Sequence, residues 1–226
     1  NAPASDQLSH LSNYMAGEAK LRQVVQEKYQ AFSRQADASQ INALFGRLNE
    51  AKAQFNSVIK EQTAANELKF SAKIRLNDVF YEYGKIYQGL SPELFAAVSE
   101  ANKRTSAAET AHYYFSQADY HSCLSMAPAD QRQAVATMIT YSEALVNLSS
   151  YMALKDAKLS LLFTTTLDSI ADPQYEAEKL FRRGNHDQAS ETLDRGPFLN
   201  LSLSNSYYAR AAAAIPEAYY WLGYVQ

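Results

Sequence analysis

The stretch INALFGRLNEAKAQFNSVIKEQTAANELKFSAKIRLNDVFYEYGKIYQGL, residues 41–90, decides the fold. Its apolar residues Ile41, Leu44, Phe45, Leu48, Ala51, Phe55, Val58, Ile59, Leu68, Ala72, Leu76, Val79, Phe80 and Tyr83 recur at steps of mostly three and four. That period makes one apolar stripe on a helix. Unbroken, such a helix would span roughly 75 Å at about 1.5 Å per residue. A compact domain cannot hold it straight, so it pairs with neighbours along its length or bends. The polar residues Gln62, Thr63 and Asn66, where the stripe thins, mark the expected bend.

Upstream, Ser5 and Asp6 are good N-cap residues for a first helix running to about Ala36, with Leu8, Leu11, Met15, Leu21, Val24, Val25 and Phe32 expected on its inner face. Asp37–Ala38–Ser39 turns the chain, with Ser39 placed to cap the next helix. So short a turn makes the two helices antiparallel neighbours. Downstream, Gly89, Ser91, Pro92 and Glu93 form a helix stop, an N-cap, a first-turn proline and a first-turn acid. The sequence therefore divides at about residue 90, into a long helical hairpin (1–90) and a region of shorter helices (91–226) packed with it as one continuous domain. The spacing predicts long helices over 5–36, 39–88, 92–126 and 130–170, the third weakening between Asn102 and Ser106, then shorter ones at 175–183, 186–195 and from about 204. Only seven Gly and six Pro in 226 residues leave few turns, which favours this all-α reading over a sandwich or barrel.

Composition excludes several functions. With 21 basic against 24 acidic residues and no dense basic block, the chain lacks the phosphate-binding face of a nucleic-acid protein. No apolar run reaches the ~20 residues of a membrane span. The single Cys123 forms no internal disulfide, and His10, His112, His121 and His186 pair with no second ligand at metal-binding spacing. No phosphate loop, nucleophile elbow or zinc-protease motif occurs, so neither an enzyme, a cofactor nor a metal is expected. The chain opens on Asn1–Ala2 without Met and ends on the strongly apolar run Tyr219–Tyr220–Trp221–Leu222. From those ends come two expectations: a lipid anchor upstream on an exported, periplasmic or outer-membrane-associated bacterial protein, and a native chain that continues past Gln226.

Tyrosine is over-used, with sixteen copies, several of them paired. A ring that packs and a hydroxyl that seeks a partner suit both helix packing and a binding wall. The segment from Tyr175 to Leu193, with Ala177 and Leu180 on one helix, Gly184 in the turn and Ala189 and Leu193 on the next, resembles a tetratricopeptide repeat. Ala111, Tyr114, Ala118 and Cys123 within 107–127, and Ile215 to Gly223 within 215–226, resemble partial copies; 173–195 is the fullest. The spacings between Ala111, Ala177 and Gly223 are not multiples of the repeat length of about 34 residues, so the array is irregular. The resemblance implies an α-solenoid-like half that binds a protein or peptide on a concave face. Its expected anchors are Tyr113, Tyr114, Tyr207, Tyr208, Tyr219, Tyr220 and Trp221. The function expected is a non-catalytic protein-interaction scaffold with the long hairpin as arm or homodimer surface; the alternative is a helical bundle holding a small ligand, as a sensor or carrier.

Overall fold

The computed structural model describes residues 4–33, 36–99, 103–104 and 106–162. They are mostly helical, with no strand among the described residues: the protein is all-α. In order come α1 (Ala4–Ser33), α2 (Ala38–Lys60), α3 (Asn66–Gln88), α4 (Pro92–Ala97), α5 (Ala107–Gln117), the single turn α6 (His121–Leu124) and α7 (Arg132–Leu162). The chain forms two compact units, Asn1–Ile139 and Thr140–Gln226. The helix boundary at Gly89–Pro92 is present, but the first unit runs on past it, because α5 packs against α3.

Local chemistry sets the helix ends. Asp37, rather than Ser39, caps α2: its carboxylate accepts from the Gln40 N–H at 2.9 Å, and the Gln40 side chain accepts from the Asp37 N–H at 3.2 Å. Two backbone donors that the helix leaves unpaired are thereby satisfied. The expected bend is a complete break over 61–65, so the stretch 41–90 forms two antiparallel helices rather than one. Thr63 in that break is held against α1, where its carbonyl accepts from Gln7 and its hydroxyl bonds His10. Ser91 caps α4 through the Leu94 N–H with Pro92 at the first position, and Ser106 caps α5 through Glu109. The expected helix 92–126 is thus three pieces, α4, α5 and α6, the first two each started by its own serine cap.

Cross-helix ion pairs fix the directions. Lys20 meets Glu50 at 2.7 Å and Glu27 meets Arg47, so α2 runs antiparallel to α1. Glu18 meets Arg75 and Lys28 meets Glu82, so α3 runs parallel to α1. Ile41, Leu44, Phe45, Leu48, Ala51, Phe55 and Val58 of α2 are all buried, as the stripe predicts. Near its end α3 is buried on every side: Tyr81, Glu82, Tyr83 and Gly84 follow one another with no exposed face. Only a helix enclosed by α1, α2, α5 and α6 reads this way.

Two glycines show how tightly the helices meet. A Cβ on Gly17 would stand 2.8 Å from the Phe55 ring, and one on Gly84 would overlap the ring of Phe115, whose side chain is fully buried. Gly46 faces open space. Gly46→Ala should stabilise the first unit by about 0.5–1 kcal/mol through helix propensity. Gly84→Ala should lower it, since overpacking costs about 1–3 kcal/mol against that same gain. Urea melts of the two variants check the opposite signs.

In the second unit the described segment is the part of α7 from Thr140 to Leu162. Tyr141, Ala144, Leu145 and Leu148 are buried on one face of it.

Candidate interaction surface

The face of α1 directed away from α2 and α3 carries the candidate site. The sequence places Leu8, Leu11, Met15 and Val25 inward, but their exposures are 67%, 46%, 57% and 37%, and Tyr29 is 62% exposed. Five of the seven large apolar side chains that stand exposed among the described residues therefore lie on this helix. The inward seam is instead His10, Gly17, Leu21, Val24 and Lys28, with Tyr14 half-buried among them. Physical partners explain the choice. Gly17 admits the Phe55 ring, the Tyr14 ring lies 5.8 Å from that ring, and Lys28 meets Glu82 at 2.5 Å. No bulkier seam could bring α1 so close to α2.

The outer seam has its own order. Leu8, Leu11, Met15, Arg22, Val25 and Tyr29 stand exposed at the a/d spacing of a coiled coil, with the nearly buried Glu18 at the remaining position, over roughly 30 Å at about 1.5 Å per residue. The exposed residues of α1 around it are Ser, Ala and Gln, and only Asp6 and Arg22 among them carry charge. A helix surface meant for water alone is usually far richer in Lys and Glu.

At the middle of the seam lies a charged cluster. Glu18 is nearly buried, accepts from Arg22 at 3.0 Å within α1 and is ion-paired with Arg75 on α3, while the Arg22 side chain is 74% exposed. Arg75 also donates to Asp78 at 2.8 Å, and Tyr120 donates to the other Asp78 oxygen at 2.5 Å. Burial works against the Arg75 charge, but Asp78 and Glu18 outweigh it and hold the guanidinium protonated beyond its usual range. Burial raises the Asp78 carboxyl above the ordinary carboxylate range despite the Tyr120 and Arg75 bonds, and raises the Tyr120 hydroxyl well above a free phenol. The cluster joins α1, α3 and the start of α6.

These shifts carry a signed prediction. The folded state holds the Asp78 proton more tightly than the unfolded state, so its contribution is fully present below about pH 4 and is lost as pH rises through the raised folded value. Tyr120→Phe deletes a bond made to the ionised form. It should cost about 1.5–3 kcal/mol at pH 7.5 and less at pH 4.5, where Asp78 is more protonated. Denaturant melts at the two pH values test this; an equal cost at both would refute it.

The expected tyrosine anchors fall elsewhere. Tyr114 is 2% exposed, stacked on Tyr83 at 4.5 Å and on Tyr87 at 5.7 Å, with Phe45 continuing the ladder to both. Its ring belongs to the core between α2, α3 and α5, not to a surface. Tyr113 is half-buried, edge-on to Tyr114, with the Arg104 guanidinium 4.3 Å over its ring. Tyr207, Tyr208, Tyr219, Tyr220 and Trp221 lie outside the described residues, as do the repeat-like segments 173–195 and 215–226. Of the segment 107–127, Ala111 and Cys123 are fully buried. The Asn77 amide secures it, exchanging hydrogen bonds with the Asp119 backbone at 3.0 and 3.1 Å and donating to the Cys123 sulfur at 3.3 Å. Burial pushes the Cys123 thiol up, away from reactive thiolate.

Between α1 and α2, Glu27, Gln30, Gln40 and Arg47 with Ala31, Ala43 and Leu44 line an open cleft of about 360 Å³. It lies open to solvent and its Glu27 and Arg47 are paired to each other, so it does not enclose a small ligand. Among the described residues no three His, Cys, Asp or Glu side chains gather as a metal site, and no helix is long and apolar enough to cross a membrane.

The site thus defines a class: an all-α chain presenting one charge-poor helix face. No family model, curated protein or solved structure matches this chain.

Proposed function

We propose that this protein is a non-catalytic interaction scaffold whose docking surface is the outer face of α1. One observation carries the reading: Leu8, Leu11, Met15, Val25 and Tyr29 stand exposed at coiled-coil spacing on a helix whose inner side is already fully engaged. Single exposed apolar residues are ordinary on protein surfaces; a periodic row of them in a surround of Ser, Ala and Gln marks a contact face. The rest of the first unit serves to hold that face straight. α2 and α3 brace it through Lys20–Glu50, Glu27–Arg47 and Lys28–Glu82 along most of its length. A helix held in this way loses little freedom on binding, and preorganisation favours affinity.

The test compares wild type with Met15→Glu and, as control, Gln23→Glu in binding to a partner purified after affinity capture. Met15→Glu should weaken binding more than tenfold at an unchanged melting temperature, while Gln23→Glu binds as wild type. Equal binding by all three would refute the reading.

A further inference from the structure

We propose that the segment 118–124 is a proton-operated flap on α3, held shut when Asp78 is protonated, and that its opening exposes Cys123, the chain's only thiol. The segment contains a single helical turn, too short to be stable by itself, so tertiary bonds hold it in place. Two adjacent residues of α3 supply its polar anchors. The Asn77 amide exchanges hydrogen bonds with the Asp119 backbone and donates to the Cys123 sulfur, and Asp78 accepts from the Tyr120 hydroxyl at 2.5 Å. Tyr120 is 1% exposed, with its ring 5.2 Å from that of Tyr81, and Cys123 is fully buried. Of the two anchoring side chains only Asp78 is ionisable, so a proton bound there acts on the segment directly.

The groups around Asp78 set the sign. On its own helix Arg75 donates to it at 2.8 Å and Glu82 repels its ionised form. From α1, Glu18 and Tyr14 engage the same Arg75 guanidinium, so one cation serves two carboxylates. From the segment comes Tyr120, whose hydroxyl stays a donor because it is held well above a free phenol. Burial outweighs these bonds, and the Asp78 carboxyl keeps its proton above the ordinary carboxylate range. Lifting the segment lets water reach Asp78 and returns it toward the ordinary value. The closed state thus binds the proton more tightly than the open one, so protonation favours closure and rising pH favours opening. Asp119, the acid of the segment itself, acts in a different window. Its carboxylate accepts from the Ser122 N–H at 3.0 Å and is lowered by Ser122, with Lys73 and His121 adding to the effect. It loosens the segment only in stronger acid, as pH falls through that lowered value.

The native thiol reports the opening. Cys123 of the full chain is labelled with dithiodipyridine from about pH 5 to about pH 8, and each rate is divided by that of a peptide of residues 117–127 at the same pH. The ratio is the open fraction, free of the thiol's own ionisation. For wild type it should rise with pH, by up to about tenfold per unit, and level off once Asp78 is ionised. Asp78→Asn keeps the shape of the neutral carboxyl and should hold the ratio at its acid value throughout, about tenfold below wild type at the alkaline end. His121→Gln should follow wild type, which sets the imidazole aside as the titrating group. Urea well below the unfolding midpoint should leave the wild-type ratio unchanged, as befits a local opening. A wild-type ratio that is flat over this range or climbs with urea as steeply as global unfolding would overturn the flap, whether or not Asp78→Asn folds. So would a pH dependence that Asp78→Asn retains or that His121→Gln abolishes.

Discussion

Glu82→Leu, with Lys28 left in place, should cost the first unit about 3–5 kcal/mol, the usual penalty for removing one member of a buried ion pair. Lys28 and Glu82 side chains are 5% and 9% exposed and meet at 2.5 Å between α1 and α3. The substitution removes the carboxylate that balances a nearly buried ammonium. Lys28→Met should cost less, because Glu82 keeps Lys85 at 3.6 Å. The double variant Lys28→Met/Glu82→Leu should recover most of the loss, since an apolar pair of similar volume removes the desolvation penalty of both charges. A double-mutant cycle on urea midpoints measures the coupling. Additive single effects would show that the pair is not coupled. The same pair sets the register of α1 on α3, so its loss should also be felt along the outer seam.

Tyr114→Ala should be about as costly, about 3–5 kcal/mol, as for large aromatic truncations in a core. The ring stacks on Tyr83 and Tyr87 and meets Tyr113 edge-on, and α2 joins the ladder through Phe45. The Tyr83 hydroxyl donates to the Phe45 carbonyl at 3.2 Å, which locks α3 to α2 at the same level. Removing Tyr114 leaves a cavity beside the three rings of Tyr83, Tyr87 and Tyr113. A tyrosine that served only as a surface anchor would behave in the opposite way, with partner binding lost and melting temperature kept. Thermal melts of Tyr114→Ala beside Tyr113→Ala separate the two roles, with the larger loss expected at Tyr114.

Some of this architecture is legible without coordinates. The stripe over 41–60 names the buried face of α2 residue by residue, because each apolar side chain there has one way to leave water. Ser91–Pro92 and Gly89 announce a helix start and stop, since capping depends on neighbours in sequence. The thinning at Gln62–Asn66 locates the break, although not that it would be a full reversal. The tyrosine reading shows the limit. Tyr113 and Tyr114 are adjacent and chemically identical, and only packing sends one ring into the core and leaves the other at its edge.

The sequence by itself determined that the chain is helical, where several helices begin and end, and which face of α2 is inside. All of these follow from interactions within a few residues or from a single apolar stripe. Only the tertiary structure decided which face of α1 turns outward. That helix carries two seams of nearly equal periodicity, and the more apolar one, Leu8–Leu11–Met15, is the one left exposed. The inner seam wins through partners far away in sequence: Phe55 against Gly17, Thr63 on His10 and Glu82 on Lys28. Close approach and a satisfied buried charge outweigh apolar content there, and neither can be counted until the chain has folded back on itself.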